Sequence, residues 1–157
     1  MIGSLIALSA QNRGAITSIV ERKTKLTILL LLDGPTSKAS KEGIIRRLTR
    51  HKIHVITLTS DNGKEFAGYA KISEKLGSGF YFCTTYHVWE RGLNENTNWL
   101  VRQYYPKGTD VAKLAAADVL RVEDLLNNRP RKALNYHSTN EVFAKLTAPP
   151  KIYALDM

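Results

Sequence analysis

The sequence predicts one α/β domain, a mixed sheet with helices on both faces. Three short apolar segments come first and have the pattern of an antiparallel meander, and segments of alternating helix and strand character follow them. A meander followed by alternating units combines antiparallel and parallel strands in one sheet, and the helices cover both of its faces. With 157 residues, 43% of them hydrophobic, the chain is long enough to bury one such core.

Five strands are predicted in this sheet. Residues 12–14 form the turn between the first two strands, and a short charged connection at 21–25 joins the second to the third. The third strand is apolar on both faces, which is typical of a central strand that is covered from both sides. The five strands comprise residues 4–8, 15–20, 26–32, 54–59 and 80–83.

Five helices are predicted from apolar residues that recur every three or four positions. In the first helix Arg46, Arg47 and Arg50 lie outside the apolar stripe, and we expect them to face solvent. The second helix has Phe66, Tyr69, Ile72 and Leu76 on one face and Gly77 as its C-terminal cap. The other four helices cover residues 40–50, 90–105, 112–127 and 141–146.

The chain is strongly basic, with a formal net charge of +9. Residues 1–60 hold ten basic and three acidic residues, whereas residues 61–157 hold thirteen and eleven. A positive balance of this size favours a polyanionic partner, either a nucleic acid or an anionic membrane surface. The alternative is a basic domain with no such partner.

Cysteine use and hydropathy exclude several classes of protein. Cys83 is the only cysteine, so neither an internal disulfide nor a cysteine-based zinc site is predicted, and a reducing compartment fits. The longest purely apolar run, residues 28–32, is far too short to cross a bilayer. The first residues lack the pattern of a signal peptide. We therefore expect a cytoplasmic protein without membrane association.

Asp61 directly follows a buried strand, in the motif Asp61-Asn62-Gly63. Ligands and catalytic groups of α/β proteins collect at the carboxyl ends of such strands. The Asn-Gly pair permits a sharp turn that leaves the carboxylate exposed. The alternative is that Asp61 and Asn62 cap the next helix, and the local sequence does not decide between the two.

Glu95 is the second candidate carboxylate and lies on the third predicted helix. Helical spacing puts it on one face with Arg91, Asn98 and Arg102, a polar face suited to phosphates. The alternative is a solvated face with an ordinary Arg–Glu pair. The opposite face is expected to meet the core through Leu93, Thr97, Leu100 and Tyr104.

Residues 60–66 and 89–98 together resemble the integrase core of bacterial insertion-sequence transposases. Asp61 and Glu95 are 34 positions apart, close to the usual spacing between the second and third acids of that family's Asp-Asp-Glu triad. The run from residue 91 to residue 98 is the most specific part of the likeness. Residues 20–24, 102–109 and 126–132 resemble the branch typified by insertion sequence thirty, and the resemblance covers about residues 3–146.

The resemblance implies a ribonuclease-H-like fold and metal-dependent cutting of DNA 3′ ends, followed by their transfer to a target strand. It makes Asp61 and Glu95 the ligands of Mg²⁺ or Mn²⁺, and two such ions suit in-line phosphoryl displacement. The implied partners are duplex DNA, as element ends and target, and further copies of the same chain. The family's N-terminal helix-turn-helix region has no counterpart here, so we interpret residues 1–157 as a single catalytic core domain.

The first acid of the triad is missing from the pattern, because Ser4 stands at its position in Gly3-Ser4-Leu5. A neutral hydroxyl cannot bridge two divalent ions as a carboxylate does. Decay of the gene, a deliberate substitution, or a role that uses only Asp61 and Glu95 would each account for it. We expect an impaired transposase core; the alternatives are an inactive DNA-binding or self-associating remnant and a plain nuclease of the same fold.

Several further residues are candidates for contacts with DNA, since cations close to the acids or clustered in a loop can bind phosphates. For the loop cluster of Arg129, Arg131 and Lys132, a solvated charge run is the simpler interpretation. His87 is a candidate accessory residue that positions a phosphate or water, or else a packed loop histidine. The candidate DNA contacts are Lys64, Arg91, Asn98, Arg102, Arg129, Arg131 and Lys132.

Overall fold

The computed structural model of the protein describes residues 5–8, 15–32, 36–50, 55–60, 64–82 and 92–147. No helix in these ranges is both long and apolar enough to cross a membrane. The strands are β1 (Leu5–Leu8), β2 (Ala15–Val20), β3 (Thr27–Leu32), β4 (Thr57–Ser60) and β5 (Gly79–Phe82). The helices are α1 (Ser37–Arg50), α2 (Tyr69–Leu76), α3 (Gly92–Tyr104), α4 (Ala116–Asn128) and α5 (Thr139–Thr147), and 3₁₀ turns occupy Lys64–Phe66, Val111–Lys113 and Lys132–Leu134.

The strands form the predicted antiparallel meander followed by a parallel pair. β2 pairs with β1 on one side and with β3 on the other, and β4 pairs with β5 in parallel. The Cα atoms of β1 and β4 come within 8 Å of each other, but the described residues show no hydrogen-bonded ladder between these two strands. The single five-stranded sheet therefore stays a prediction.

Helices cover both faces of the meander, as predicted. Alternate residues of β3 point to opposite faces, so Ile28 and Leu30 lie in one core while Leu29 lies in the other. Burial of one such side chain contributes roughly 1.5–3 kcal/mol. The first core contains Ile19, Ile28, Leu30, Leu32, Ile44, Leu48, Leu58, Phe66 and Ile72; the second contains Ile16, Leu29, Leu100, Val101, Val119, Val122 and Leu126.

α1 and α4 begin at other residues than the periodicity predicts, because local hydrogen bonds fix their starts. α1 begins at Ser37, since the hydroxyl of Thr36 accepts from the N–H of Ala39, 3.2 Å away. α4 begins at Ala116 instead of residue 112, and the carboxylate of Asp118 accepts from the N–H of Ala115 at 3.3 Å. Residues 111–113 form a separate 3₁₀ turn anchored by buried Val111.

The second helix, α2, begins at Tyr69, three residues after Phe66, where its apolar pattern begins. Phe66 is fully buried but lies in the preceding 3₁₀ turn, and α2 carries Ile72 into the core. Tyr69 was expected on the buried face, yet it is 43% exposed and packs edge-on against Phe82, 5.1 Å away between ring centroids. Gly77 caps the helix in the left-handed conformation, φ 61°, as predicted.

The edge of β3 is covered by α4 through buried polar groups. Asn127 accepts from the N–H of Thr27 at 2.9 Å and donates to its carbonyl at 2.6 Å. Glu123 accepts from the N–H of Leu29 at 2.7 Å and from the guanidinium of Arg47 at 2.6 Å. The helix thus takes the place of a neighbouring strand and protects the edge from further pairing. The expectation that Arg47 faces solvent is wrong, because its side chain is only 14% exposed.

Candidate active site

Glu95 lies in the first turn of α3, with its side chain exposed. Unpaired N–H groups at the start of a helix create a partial positive charge, which attracts an anionic side chain or ligand. No hydrogen bond or ion pair to Glu95 occurs within the described ranges. The carboxylate is therefore open to a ligand at the surface.

The buried face of α3 fixes the direction in which Glu95 points. Thr97, Leu100 and Val101 are buried, and the two apolar residues join the second core. Arg102 is exposed on the same side as Glu95, as the helical spacing predicts. The expectation that Tyr104 meets the core is wrong, since it is 40% exposed and Val101 takes that place. The side chain of Leu93 lies outside the described part.

Asn98, one turn after Glu95, carries a polar atom without a partner. The residue is half-buried and its Oδ1 is buried, and this oxygen has no hydrogen-bond partner among the residues that the structure describes. Buried side-chain oxygens in folded proteins are nearly always bonded, so an exception calls for a role. A carboxylate and an amide oxygen one turn apart are the oxygen donors that hard divalent cations select.

The other proposed triad positions, Ser4 and Asp61, lie outside the described residues, as do His87 and Arg91. The strands that lead to the triad positions are described: Leu5 of β1 follows Ser4, and Ser60 of β4 precedes Asp61. These two strands approach within 8 Å between Cα atoms. That approach is what convergence of positions 4 and 61 requires.

The remaining candidate DNA contacts lie outside α3: Lys64 precedes α2, and the basic loop of residues 129–132 follows α4. Lys64 is exposed at the start of a 3₁₀ turn. Arg129 and Lys132 are exposed in the loop, whereas Arg131 is half-buried and donates to the carbonyl of Leu126 at 3.3 Å. Burial and, secondarily, the neighbouring Arg129 lower the pKa of Arg131. Among the described residues, the side chain of Arg131 thus has a hydrogen bond to the fold, and the side chains of Arg129 and Lys132 have none.

This loop is held in a defined shape by backbone contacts. Pro130 and Ser138 form an antiparallel bridge, and the N–H of Arg131 donates to the carbonyl of His137 at 3.1 Å. Asn135 and Tyr136 both adopt the left-handed conformation, with φ of 52° and 62°. A fixed loop presents its exposed cations to a partner with less loss of conformational entropy than a flexible loop would.

A cavity of about 350 Å³ lies away from α3, between β3, α1, α4 and α5. Its polar lining includes Arg47, Glu123 and Asn127. Glu123 and Asn127 are hydrogen-bonded to the backbone of β3, and Arg47 is hydrogen-bonded to Glu123. Such paired groups have little remaining capacity for a ligand. Sequence patterns gave no signal for this cavity, because its walls are distant in the chain.

The fold is that of the integrase catalytic cores. The catalytic core domain of BIV integrase matches it with a TM-score of 0.67 at 19% identity, over 91% of this chain and 93% of that chain. A chain from the structure of the simian T-cell lymphotropic virus intasome in complex with PP2A regulatory subunit B56 gamma matches with a TM-score of 0.70 at 14% identity, over 95% of this chain and 55% of that chain. The predicted ribonuclease-H-like class is confirmed.

Sequence relatives identify the particular family. The chain is 42% identical over 139 residues to the transposase of insertion sequence element IS4351 of Bacteroides fragilis. It is 38% identical over 149 residues to that of IS1086 of Cupriavidus metallidurans and 34% over 139 residues to that of IS30C of Escherichia coli. The domain is an insertion-sequence transposase core of the IS30 type, as its motifs indicated.

The match covers 88% of this chain and 43% of the Bacteroides fragilis protein, 94% and 44% for Cupriavidus metallidurans, and 88% and 36% for Escherichia coli. The chain thus spans less than half the length of these curated relatives. No protein-family model matches the sequence.

Proposed function

We propose that this domain cuts DNA strands and joins them to target DNA during transposition, with Asp61 and Glu95 as its metal-binding catalytic carboxylates. The observation that carries the proposal is the polar face of α3. It carries an exposed carboxylate that has no partner among the described residues, one turn from a buried amide oxygen that has none there either, in a chain homologous to transposases. In a face that stabilised only the fold, a buried oxygen such as the Oδ1 of Asn98 would be expected to have a hydrogen-bond partner.

The donor set of this face fits Mg²⁺ or Mn²⁺. Both ions prefer oxygen ligands and need only a few from the protein, since water and substrate oxygens complete the shell. Glu95 and Asp61 would hold the ion, and the orphan oxygen of Asn98 would orient a bound water or the carboxylate itself. Bound divalent ions supply activation of the attacking oxygen and stabilisation of the leaving one.

The cationic residues would bind and orient the DNA backbone. Arg102 is exposed two turns beyond Glu95 and would contact phosphates on one side of the cut, and exposed Lys64 lies three residues after Asp61. Arg129 and Lys132 would engage duplex DNA at a distance from the cut, while Arg131 stabilises their loop. The proposed roles of Arg91 and of His87, which would position a phosphate or water, rest on their positions in the motif.

We propose further that Ser4 leaves this core impaired. Two carboxylates hold divalent ions more weakly than three, because each ionised oxygen removed lowers the attraction for the cation. We expect weak Mg²⁺ or Mn²⁺ binding, and calorimetry that found tight binding of two ions would contradict it. An inactive core that binds only DNA is the alternative, and the same Ser4 favours it.

The test is Ser4→Asp, which would restore three converging carboxylates. The variant should show Mn²⁺-dependent nicking or disintegration of branched DNA where the parent shows little. The double variant Ser4→Asp with Glu95→Gln is the matched control, because it keeps the new acid and neutralises an old one. A strand-transfer assay with precut ends then separates a transposase from a nuclease. If Ser4→Asp neither tightens metal binding nor restores cutting, the assignment of position 4 is wrong.

The proposed partners are duplex DNA and further copies of the chain, and the proposed location is the cytoplasm. The basic excess of residues 1–60 should support binding to DNA of any sequence, with affinity falling steeply between about 50 and 200 mM salt as counterions are released. Anisotropy titrations across that range test the point. Binding that is independent of salt, or absent at low salt, would count against it.

A further inference from the structure

Trp99 lies on the polar side of α3 with 61% of its surface exposed. Tryptophan is usually well buried, because its large ring contributes much apolar area to a core. The helix has not turned outward as a whole, since Thr97, Leu100 and Val101 on its other side are buried. The indole is therefore presented to solvent while α3 keeps its contacts with the second core.

The position of Trp99 on the helix places its ring beside the candidate acid. Glu95 and Trp99 are four residues apart, so they are neighbours on one face. Side chains of a helix lean towards its N-terminus, and the surface that Trp99 covers is the turn that carries Glu95. An exposed aromatic ring and an exposed carboxylate that has no partner among the described residues are therefore neighbours by helical spacing.

Charge on the same face favours a nucleic acid over an apolar ligand. Arg102 is exposed three residues beyond Trp99 and would hold a phosphate next to the ring. A plane for stacking combined with cations for the backbone is the usual way in which proteins bind unpaired nucleotides, and stacking works for every base. A paired base inside a duplex does not offer its face to a side chain.

We propose that Trp99 stacks on an unpaired base of a DNA end and so holds the strand beside Glu95. This inference rests on the proposed function and specifies its substrate: a DNA end with an unpaired nucleotide next to the bond to be cut or joined. Trp99 is a positioning residue in this account, and binding without catalysis is sufficient to test it.

The experiment compares two DNAs, a duplex with a short single-stranded 3′ overhang and the matched blunt duplex, at one low salt concentration. Trp99→Ala should weaken binding to the overhang DNA by about 5- to 150-fold and change binding to the blunt duplex less than about twofold. Trp99→Phe should keep a large part of the overhang preference. Tyr104→Ala is the control, because Tyr104 is an exposed aromatic of α3 on a different side of the helix.

A direct readout uses the fluorescence of Trp99 in a Trp89→Phe background, where it is the only tryptophan. The overhang DNA should quench this emission and the blunt duplex should not. Equal loss of binding to both DNAs in Trp99→Ala would overturn the inference, as would a loss of self-association in sedimentation, which would assign the ring to a second copy. If the wild-type domain binds DNA and Trp99→Ala binds it equally well, the inference about Trp99 is wrong but the proposed function stands. If the wild-type domain binds neither DNA, the proposed function is wrong as well.

Discussion

Two glutamates on neighbouring helices differ in almost every physical respect. Glu123 of α4 has a side chain that is 13% exposed, and its oxygens accept from Arg47 at 2.6 and 2.7 Å and from the N–H of Leu29 at 2.7 Å. Glu95 of α3 is exposed and has no partner in the described ranges. The first carboxylate closes a strand edge, and the second is left open.

Two asparagines repeat the contrast on the same helices. Asn127 uses both ends of its amide on the backbone of Thr27 and is buried. Asn98 is half-buried with an Oδ1 that has no partner. Glu123 and Asn127 of α4 therefore serve folding, whereas Glu95 and the Oδ1 of Asn98 on α3 have no such bonds among the described residues. A buried polar group without a partner is a candidate for a role in function, since folding alone gains nothing from it.

Glu123→Ala should have the largest effect on stability. It would leave the nearly buried guanidinium of Arg47 and the N–H of Leu29 without their acceptor, and loss of one partner of such a pair costs about 3–5 kcal/mol. Urea unfolding measures the change. Glu95→Ala is the matched control and should change stability by less than about 0.5 kcal/mol. Equal effects of the two substitutions would show that the contrast is wrong.

Asn127→Ala should have the next largest effect on stability. The substitution removes the partner of both backbone groups of Thr27, and each buried group left unsatisfied costs about 1–3 kcal/mol. Because the edge of β3 would lose its cover, we also expect more aggregation during refolding. Asn128→Ala, at an exposed neighbouring position, serves as control. A stable, well-behaved Asn127→Ala domain would contradict the edge-covering role.

A third glutamate, Glu141, differs from both, because it is exposed and its carboxylate is nevertheless hydrogen-bonded. Its carboxylate accepts from the N–H of Ser138 at 2.8 Å, and the hydroxyl of Ser138 accepts from the N–H of Glu141 at 3.2 Å, the reciprocal bonds of a capping box. Hydrogen bonding of the Glu141 carboxylate to the backbone N–H of Ser138 and, secondarily, to the Ser138 hydroxyl lowers the pKa of Glu141. Its stabilising contribution is therefore present above the unfolded-state pKa and is lost as the pH falls through the lower pKa of the folded state.

Ser138→Ala tests that account. It should cost about 1 kcal/mol of stability at neutral pH, the usual effect of losing an N-cap. The variant Glu141→Gln should unfold with a weaker dependence on acid pH than the parent, measured by urea midpoints between pH 3 and 6, roughly the carboxylate range. If Glu141→Gln keeps the full acid dependence of the parent, other carboxylates are responsible.

Asn98→Ala should have the smallest effect on stability and a large effect on activity. Removal of a buried oxygen without a partner is close to neutral, within about 1 kcal/mol, because no bond is broken. In the Ser4→Asp background, nicking should fall while the unfolding midpoint stays constant. A marked destabilisation would mean that Asn98 serves the fold as Asn127 does.

Local patterns in the sequence determined the elements and the family of this domain. Apolar segments located the strands and the helices, because alternation and the helical repeat act over neighbouring residues. The spacing from Thr97 to Leu100 correctly predicted which side of α3 is buried, and the motif around Glu95 identified the transposase core. The pattern from Ser138 to Glu141 is a capping box that also stands in the sequence, and it explains why α5 begins at Thr139 instead of residue 141.

Tertiary structure alone decided which polar side chains are paired and which are free. Arg47 and Glu123 are 76 residues apart, and Asn127 and Thr27 are 100 apart, so no local repeat relates them. The same limit applies to Trp99, because its burial depends on what packs over α3 and not on the helix itself. Hydrogen bonding and burial are set by distances across the folded chain, whereas a sequence pattern reports only the distances within one turn or one strand.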